Sequence, residues 1–133
     1  MKGKPEEKKA ELKAKCSKEV LKTLGYEFKV EGEAPSDESC ILVGNHVSYL
    51  DIPVVIGAAP KAIFISKDNV QKWPLLGPTG TAMGTIFVSR DKSSNRHQAR
   101  NAISEILRKR TGEKIVVFPS GTTSLDESKP WKK

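Results

Sequence analysis

Hydrophobic and polar positions change period several times along this chain. Residues 5–24 are rich in good helix formers, and Leu12, Cys16, Val20, Leu21 and Leu24 make a narrow apolar stripe beside a lysine-rich face. This predicts a helix over 5–24, stopped by Gly25. Residues 26–30 alternate like a half-buried strand, and the Pro- and acid-containing stretch 31–39 reads as a loop. The apolar run Cys40-Ile41-Leu42-Val43 predicts a buried strand ending at Gly44. A turn over 45–50 then leads into a helix, with Asp51 as candidate N-cap and Pro53 tolerated in its first turn. Residues 62–65 and 85–88 read as further short strands. Between them, 73–78 breaks regular structure, and the glycine-containing run 77–84 reads as a flexible, close-packed connector. Ser94 can cap a helix to about residue 110, with Ala99, Ala102, Ile103, Ile106 and Leu107 on one apolar face and Gly112 as its stop. Residues 114–118 predict a last strand, and beyond 125 the tail is polar.

Strands alternating with helices predict an α/β fold, a mixed β-sheet flanked by helices, without internal repeats. Three parts follow: a basic amphipathic helix over 1–25, one domain over 26–125 and a polar tail over 126–133. Apolar residues make up 37% and charged residues 29%, the balance of a soluble or peripheral folded protein and not of a disordered chain. No apolar run reaches the roughly 18 to 20 residues of a membrane-spanning helix, and the Lys/Glu-rich N-terminus has no signal-peptide core. A cytoplasmic chain, peripheral on a membrane at most, is expected. Cys16 and Cys40 have no metal-ligand or redox spacing, so both read as small packing residues and no metal is expected.

The net charge of +7 is uneven. Residues 31–60 hold five acidic side chains and no Lys or Arg, whereas 61–133 hold fourteen basic against six acidic. Such a basic chain calls for an anionic partner: nucleic acid, a lipid headgroup layer or a phosphorylated small molecule. Aromatics are only 6% and do not interleave with the basic residues, which argues against nucleic acid.

Three strand ends deliver chemistry into loops, where ligands of open α/β sheets sit: Asn45-His46 with Asp51, Ser89-Arg90-Asp91-Lys92, and Pro119-Ser120-Gly121-Thr122-Thr123-Ser124. On one continuous helix, His46 and Asp51 would be turned about 500° apart. On a turn entering a helix, Asp51 can fold back beneath the imidazole, accept from one ring nitrogen and leave the other as a base. For a bare His-x4-Asp pair, whose spacing is short and common, a helix cap beside an incidental turn histidine is the better reading. Neither Ser48 nor Ser120 sits in a G-x-S-x-G elbow, and residues 77–84 match no phosphate-loop or dinucleotide fingerprint.

The segment Asn45-His46-Val47-Ser48-Tyr49-Leu50-Asp51-Ile52-Pro53-Val54 resembles the first motif of the lysophosphatidic acid and glycerol-3-phosphate acyltransferases. Lys67 and Lys72-Trp73-Pro74-Leu75-Leu76-Gly77 resemble the stretch leading into the second motif, and Gly84-Thr85-Ile86-Phe87-Val88-Ser89-Arg90 the motif itself. Phe118-Pro119-Ser120-Gly121-Thr122-Thr123-Ser124 resembles the third. The resemblance is collinear over about residues 28–125. It implies a glycerol-3-phosphate acyltransferase-like fold and transfer of a fatty acyl group from acyl-CoA or acyl carrier protein to a lysophospholipid hydroxyl, most simply that of 1-acylglycerol-3-phosphate. No further cofactor is implied. By the same resemblance His46 is the general base, Asp51 orients it, and Arg90 pairs with the acceptor's phosphate. Gly121 and Thr122 line that pocket, and Lys67, Gly84 and Ser120 join the substrate-binding set. The third motif usually carries glutamate where this chain has Ser120, which loosens the acceptor assignment. The fourth motif is absent, so the chain reads as the front part of the catalytic domain. The alternative is a truncated, non-catalytic relative that only binds lipid or phosphate.

Overall fold

A computed structural model describes residues 5–33, 38–89, 93–109 and 111–119. The elements run α1 (Pro5–Thr23), β1 (Cys40–Val43), α2 (Asp51–Ala58), β2 (Ala62–Lys67), a 3₁₀ helix (Asp68–Lys72), α3 (Leu76–Ala82), β3 (Ile86–Val88), α4 (Ser93–Lys109) and β4 (Lys114–Val117). This is the expected α/β fold, and its residues group into two compact units. One comprises the described residues of Met1–Ala34, Gly44–Ala62 and Phe118–Lys133, the other those of Pro35–Val43 and Ile63–Val117.

In the first unit α1 packs on α2. The face α1 buries is Ala10, Ala14, Ser17 and Leu21, spaced by four, three and four residues as one side of a helix requires. Of the apolar stripe read from sequence only Leu21 is buried; Leu12 at 62%, Val20 at 50% and Leu24 at 56% exposure face solvent. Cys16 is exposed with them and is not a packing residue. Small side chains win because helix axes approach as closely as the contacting residues allow. Lys13 then reaches across, its Nζ donating to the Ala62 carbonyl at 3.1 Å. Residues 26–30 are not a strand. Their alternation serves another purpose: the Phe28 ring lies against Gly57 of α2, while Tyr26 and Val30 stay exposed.

The second unit holds a sheet of strand order β1-β4-β2-β3. β1 pairs with β4 in parallel, from Cys40 opposite Lys114 to Val43 opposite Val117, and β2 pairs with β3 in parallel from Ile65 opposite Ile86. Inner β4 buries Ile115 and Val116. β1 sits at the edge, so its apolar run is not buried throughout, and Ile41 and Val43 are about half exposed. The starts of these two strands are tied together. Gly112 N–H donates to Ser39 Oγ at 3.1 Å, and the buried Lys114 ammonium donates to the Glu38 carbonyl. α4 packs on β3 with Ala99 buried, as its apolar face predicts. Ser94 lies inside that helix and does not cap it.

Between β2 and β3 the expected irregular connector is instead two short helices. Gly77 makes this possible: a Cβ there would stand 2.0 Å from the Gln71 carbonyl oxygen, so α3 seats directly on the 3₁₀ backbone. The chain enters α3 through a γ-turn in which Leu76 N–H donates to the Pro74 carbonyl at 2.9 Å. Its central residue, Leu75, has φ 71° and ψ −56°, a conformation that costs a non-glycine residue of order 1–3 kcal/mol.

Candidate active site

The loop between β1 and α2 builds its own scaffold. Ser48-Tyr49-Leu50-Asp51 forms a reciprocal capping arrangement: Ser48 Oγ accepts from Leu50 N–H at 3.2 Å, and Asp51 Oδ2 reaches back to Ser48 N–H at 3.0 Å. Asp51 is therefore the first residue of the helix, facing backwards, and not its N-cap as read from sequence; Leu50 holds that position without a side-chain cap, its N–H bonded to Ser48. The same Oδ2 accepts from Val47 N–H at 2.8 Å and lies 2.9 Å from His46 Nδ1. One carboxylate oxygen thus gathers two backbone N–H groups and a ring nitrogen from three consecutive residues.

Those contacts set the electrostatics. Burial alone would push the Asp51 carboxyl up, but the Ser48 and Val47 N–H groups, with His46, outweigh it and hold the pKa below the ordinary carboxylate value. A carboxylate at Nδ1 selects the tautomer with the proton on Nδ1, which leaves the lone pair on Nε2. The imidazole side chain is 14% exposed. One ring face is stacked on Phe118, just beyond β4, with centroids 4.3 Å apart and planes 18° from parallel. Tyr49 approaches edge-on at 6.3 Å.

Of the residues proposed from sequence, the structure brings His46 and Asp51 together. Lys67 closes β2, half-buried, and Gly84 turns the chain into β3 with φ 78°. Both belong to the second unit, in or beside its strands, whereas His46 and Asp51 belong to the first. Arg90, Ser120, Gly121 and Thr122 lie outside the described residues. Two contributors went unread in sequence: Ser48, whose S-x-x-D spacing is a recognisable capping signal, and Phe118, whose stacking on His46 has no local signal.

The profile of the Acyltransferase family matches residues 27–133. The chain belongs to the acyltransferase family. Among similar proteins, a lyso-ornithine lipid O-acyltransferase of Pseudomonas aeruginosa is 37% identical over 79% of this chain and 39% of its own length. A 1-acyl-sn-glycerol-3-phosphate acyltransferase of Neisseria meningitidis is 34% identical over 79% of this chain and 40% of its own. The crystal structure of the 1-acyl-sn-glycerophosphate acyltransferase PlsC of Thermotoga maritima superposes with a TM-score of 0.70 at 28% identity. That match covers 88% of this chain and 46% of PlsC. The acyltransferase chain described here thus spans about two fifths of the length of the curated relatives it matches.

In an acyltransferase, a neutral imidazole oriented by a carboxylate can take a proton from an alcohol as it attacks an activated carbonyl. A positive charge on the His46 ring would face Asp51, whose ionised form the backbone already favours. Among the described residues no helix is long and apolar enough to cross a membrane.

Proposed function

We propose that this acyltransferase moves a fatty acyl group from the thioester of acyl-CoA or acyl carrier protein to the hydroxyl of a lysophospholipid. His46 Nε2 takes the hydroxyl proton as the oxygen attacks the thioester carbonyl. The tetrahedral intermediate collapses, the C–S bond breaks, and the leaving thiolate collects the proton from the imidazolium, giving ester and free thiol without an acyl-enzyme. The observation that carries this reading is the 2.9 Å contact between His46 Nδ1 and an Asp51 oxygen already fixed by two backbone N–H groups.

The preferred acceptor is 1-acylglycerol-3-phosphate, its phosphate paired with Arg90 and the substrates bounded by Lys67, Gly84, Ser120, Gly121 and Thr122. A second acceptor, a lyso-ornithine lipid, is supported by Ser120 standing where the motif usually has glutamate, together with the name of the 37% identical relative. Both acceptors are membrane lipids, which supports a reaction at a membrane surface; the cytoplasmic face is part of the proposal. The test is thiol release from acyl-CoA with either acceptor or none, for the wild-type chain beside His46→Ala. Release that requires an acceptor should fall about 10²- to 10⁴-fold in the variant. Folded wild-type protein releasing no more thiol than the variant would instead indicate a relative that binds lipid or phosphate without turning it over.

A further inference from the structure

The segment joining the 3₁₀ helix to α3 takes no part in the chemistry above, yet its side chains are hard to explain by folding. Trp73, Leu75 and Leu76 are 41%, 79% and 43% exposed, and Pro74 between them is exposed too. Leu75 is at once the most exposed of these apolar side chains and the only described non-glycine residue with positive φ. Glycine would relieve the backbone there and, with so little of the leucine buried, would give up little packing. The tip is not loose: Gly77 is pressed onto the Gln71 carbonyl, Gly77 N–H donates to the Trp73 carbonyl at 2.9 Å, and the γ-turn bond closes it. A strained, rigid turn is presenting apolar side chains to something outside the fold.

We propose that Trp73, Leu75 and Leu76 form a wedge that enters the surface of an anionic lipid bilayer. This rests on the reading that the acceptor is a membrane lipid. A half-exposed tryptophan beside leucines suits the boundary between headgroups and acyl chains. Lys72 and Lys67 flank the turn against the single carboxylate of Asp68, which leaves its base positive toward anionic headgroups. A second protein is a poorer occupant, because four side chains fall short of the roughly 800 Å² that each partner of a stable complex buries.

The test uses the full chain with Trp131→Phe, which leaves Trp73 as the sole tryptophan, and vesicles of phosphatidylcholine with or without phosphatidylglycerol. Trp73 emission should move to the blue with the anionic vesicles. Leu75→Asp should weaken vesicle affinity about tenfold or more. Leu75→Gly should weaken it as well while leaving the melting temperature equal or higher, since it removes strain. Unshifted Trp73 emission, Leu75→Asp binding like wild type, or a lower melting temperature for Leu75→Gly would each overturn the wedge. Acyl transfer separates this from the functional reading. Leu75→Asp should lose transfer to a vesicle-embedded lysophospholipid and keep it toward a short-chain acceptor dispersed in water. A wild-type chain that shifts its tryptophan but transfers to neither acceptor refutes the function and leaves the wedge. Transfer without the shift does the reverse.

Discussion

His46 owes its orientation to a carboxylate that the backbone itself holds in place. Asp51 Oδ2 accepts from Val47 and Ser48 before it meets the imidazole, so the carboxylate is organised by its own turn, while Phe118 packs on the ring from far along the chain. Asp51→Asn keeps an acceptor oxygen for these N–H groups but removes the charge that stabilises an imidazolium. Acyl transfer should fall about a hundredfold or more, mostly in kcat, as steady-state rates would show. Stability should change with it. Because the folded chain holds the Asp51 carboxyl below its ordinary value, this contribution is present above the unfolded pKa of about 3.9. It is lost as pH falls through the lower folded value. Urea midpoints between neutral and acid pH should therefore drop less steeply for Asp51→Asn than for wild type. At this scale the His46–Asp51 contact is legible in sequence through the motif around it, because the five-residue spacing alone also suits a helix cap beside an incidental histidine. The Phe118 stacking is not, since only β4 beside β1 carries that ring back to the loop that follows β1.

Among the elements, strong signals and weak ones part along physical lines. α1, α4 and the four strands stand near where periodicity puts them, because long amphipathic runs and short apolar runs each have one economical home. Residues 26–30 fail as a strand because alternation marks two unlike faces without saying whether a neighbour offers a ladder; here a glycine on α2 receives Phe28 instead. The two short helices over 68–82 are hidden by prolines and glycines that usually interrupt structure, and they depend on one close approach. That approach can be tested by contrast. A Cβ at Gly77 meets fixed backbone at 2.0 Å, whereas one at Gly57 meets the far end of the Phe28 ring at 2.7 Å. Gly57→Ala should be nearly neutral, since the ring can swing aside and alanine gains about 1 kcal/mol of helix propensity. Gly77→Ala enjoys the same propensity gain but must separate α3 from the 3₁₀ helix, a distortion of typically 1–3 kcal/mol or more. Paired thermal melts should show the larger fall for Gly77→Ala.

Over the whole molecule, the charge distribution bears on how substrates arrive. All five charges between residues 31 and 60 are acidic, Asp51 among them, and the surplus that makes the chain +7 lies on either side of that stretch. The proposed substrates, acyl-CoA or acyl carrier protein and lysophosphatidate, are all anionic, so a basic exterior should raise their encounter rate without touching the chemical step. The two effects respond differently to salt. The Debye length falls from about 10 Å at 0.1 M to about 3 Å at 1 M, which screens exposed lysines but leaves a 2.9 Å pair inside the active-site turn nearly unaffected. Raising ionic strength should therefore increase KM for acyl-CoA several-fold while kcat moves little, with folding checked by circular dichroism at each salt concentration. A KM that stays flat would mean that the positive charge serves solubility or membrane contact and not donor capture. A falling kcat would place a screened, exposed charge in the chemical step, which the enclosed geometry of His46 and Asp51 does not require.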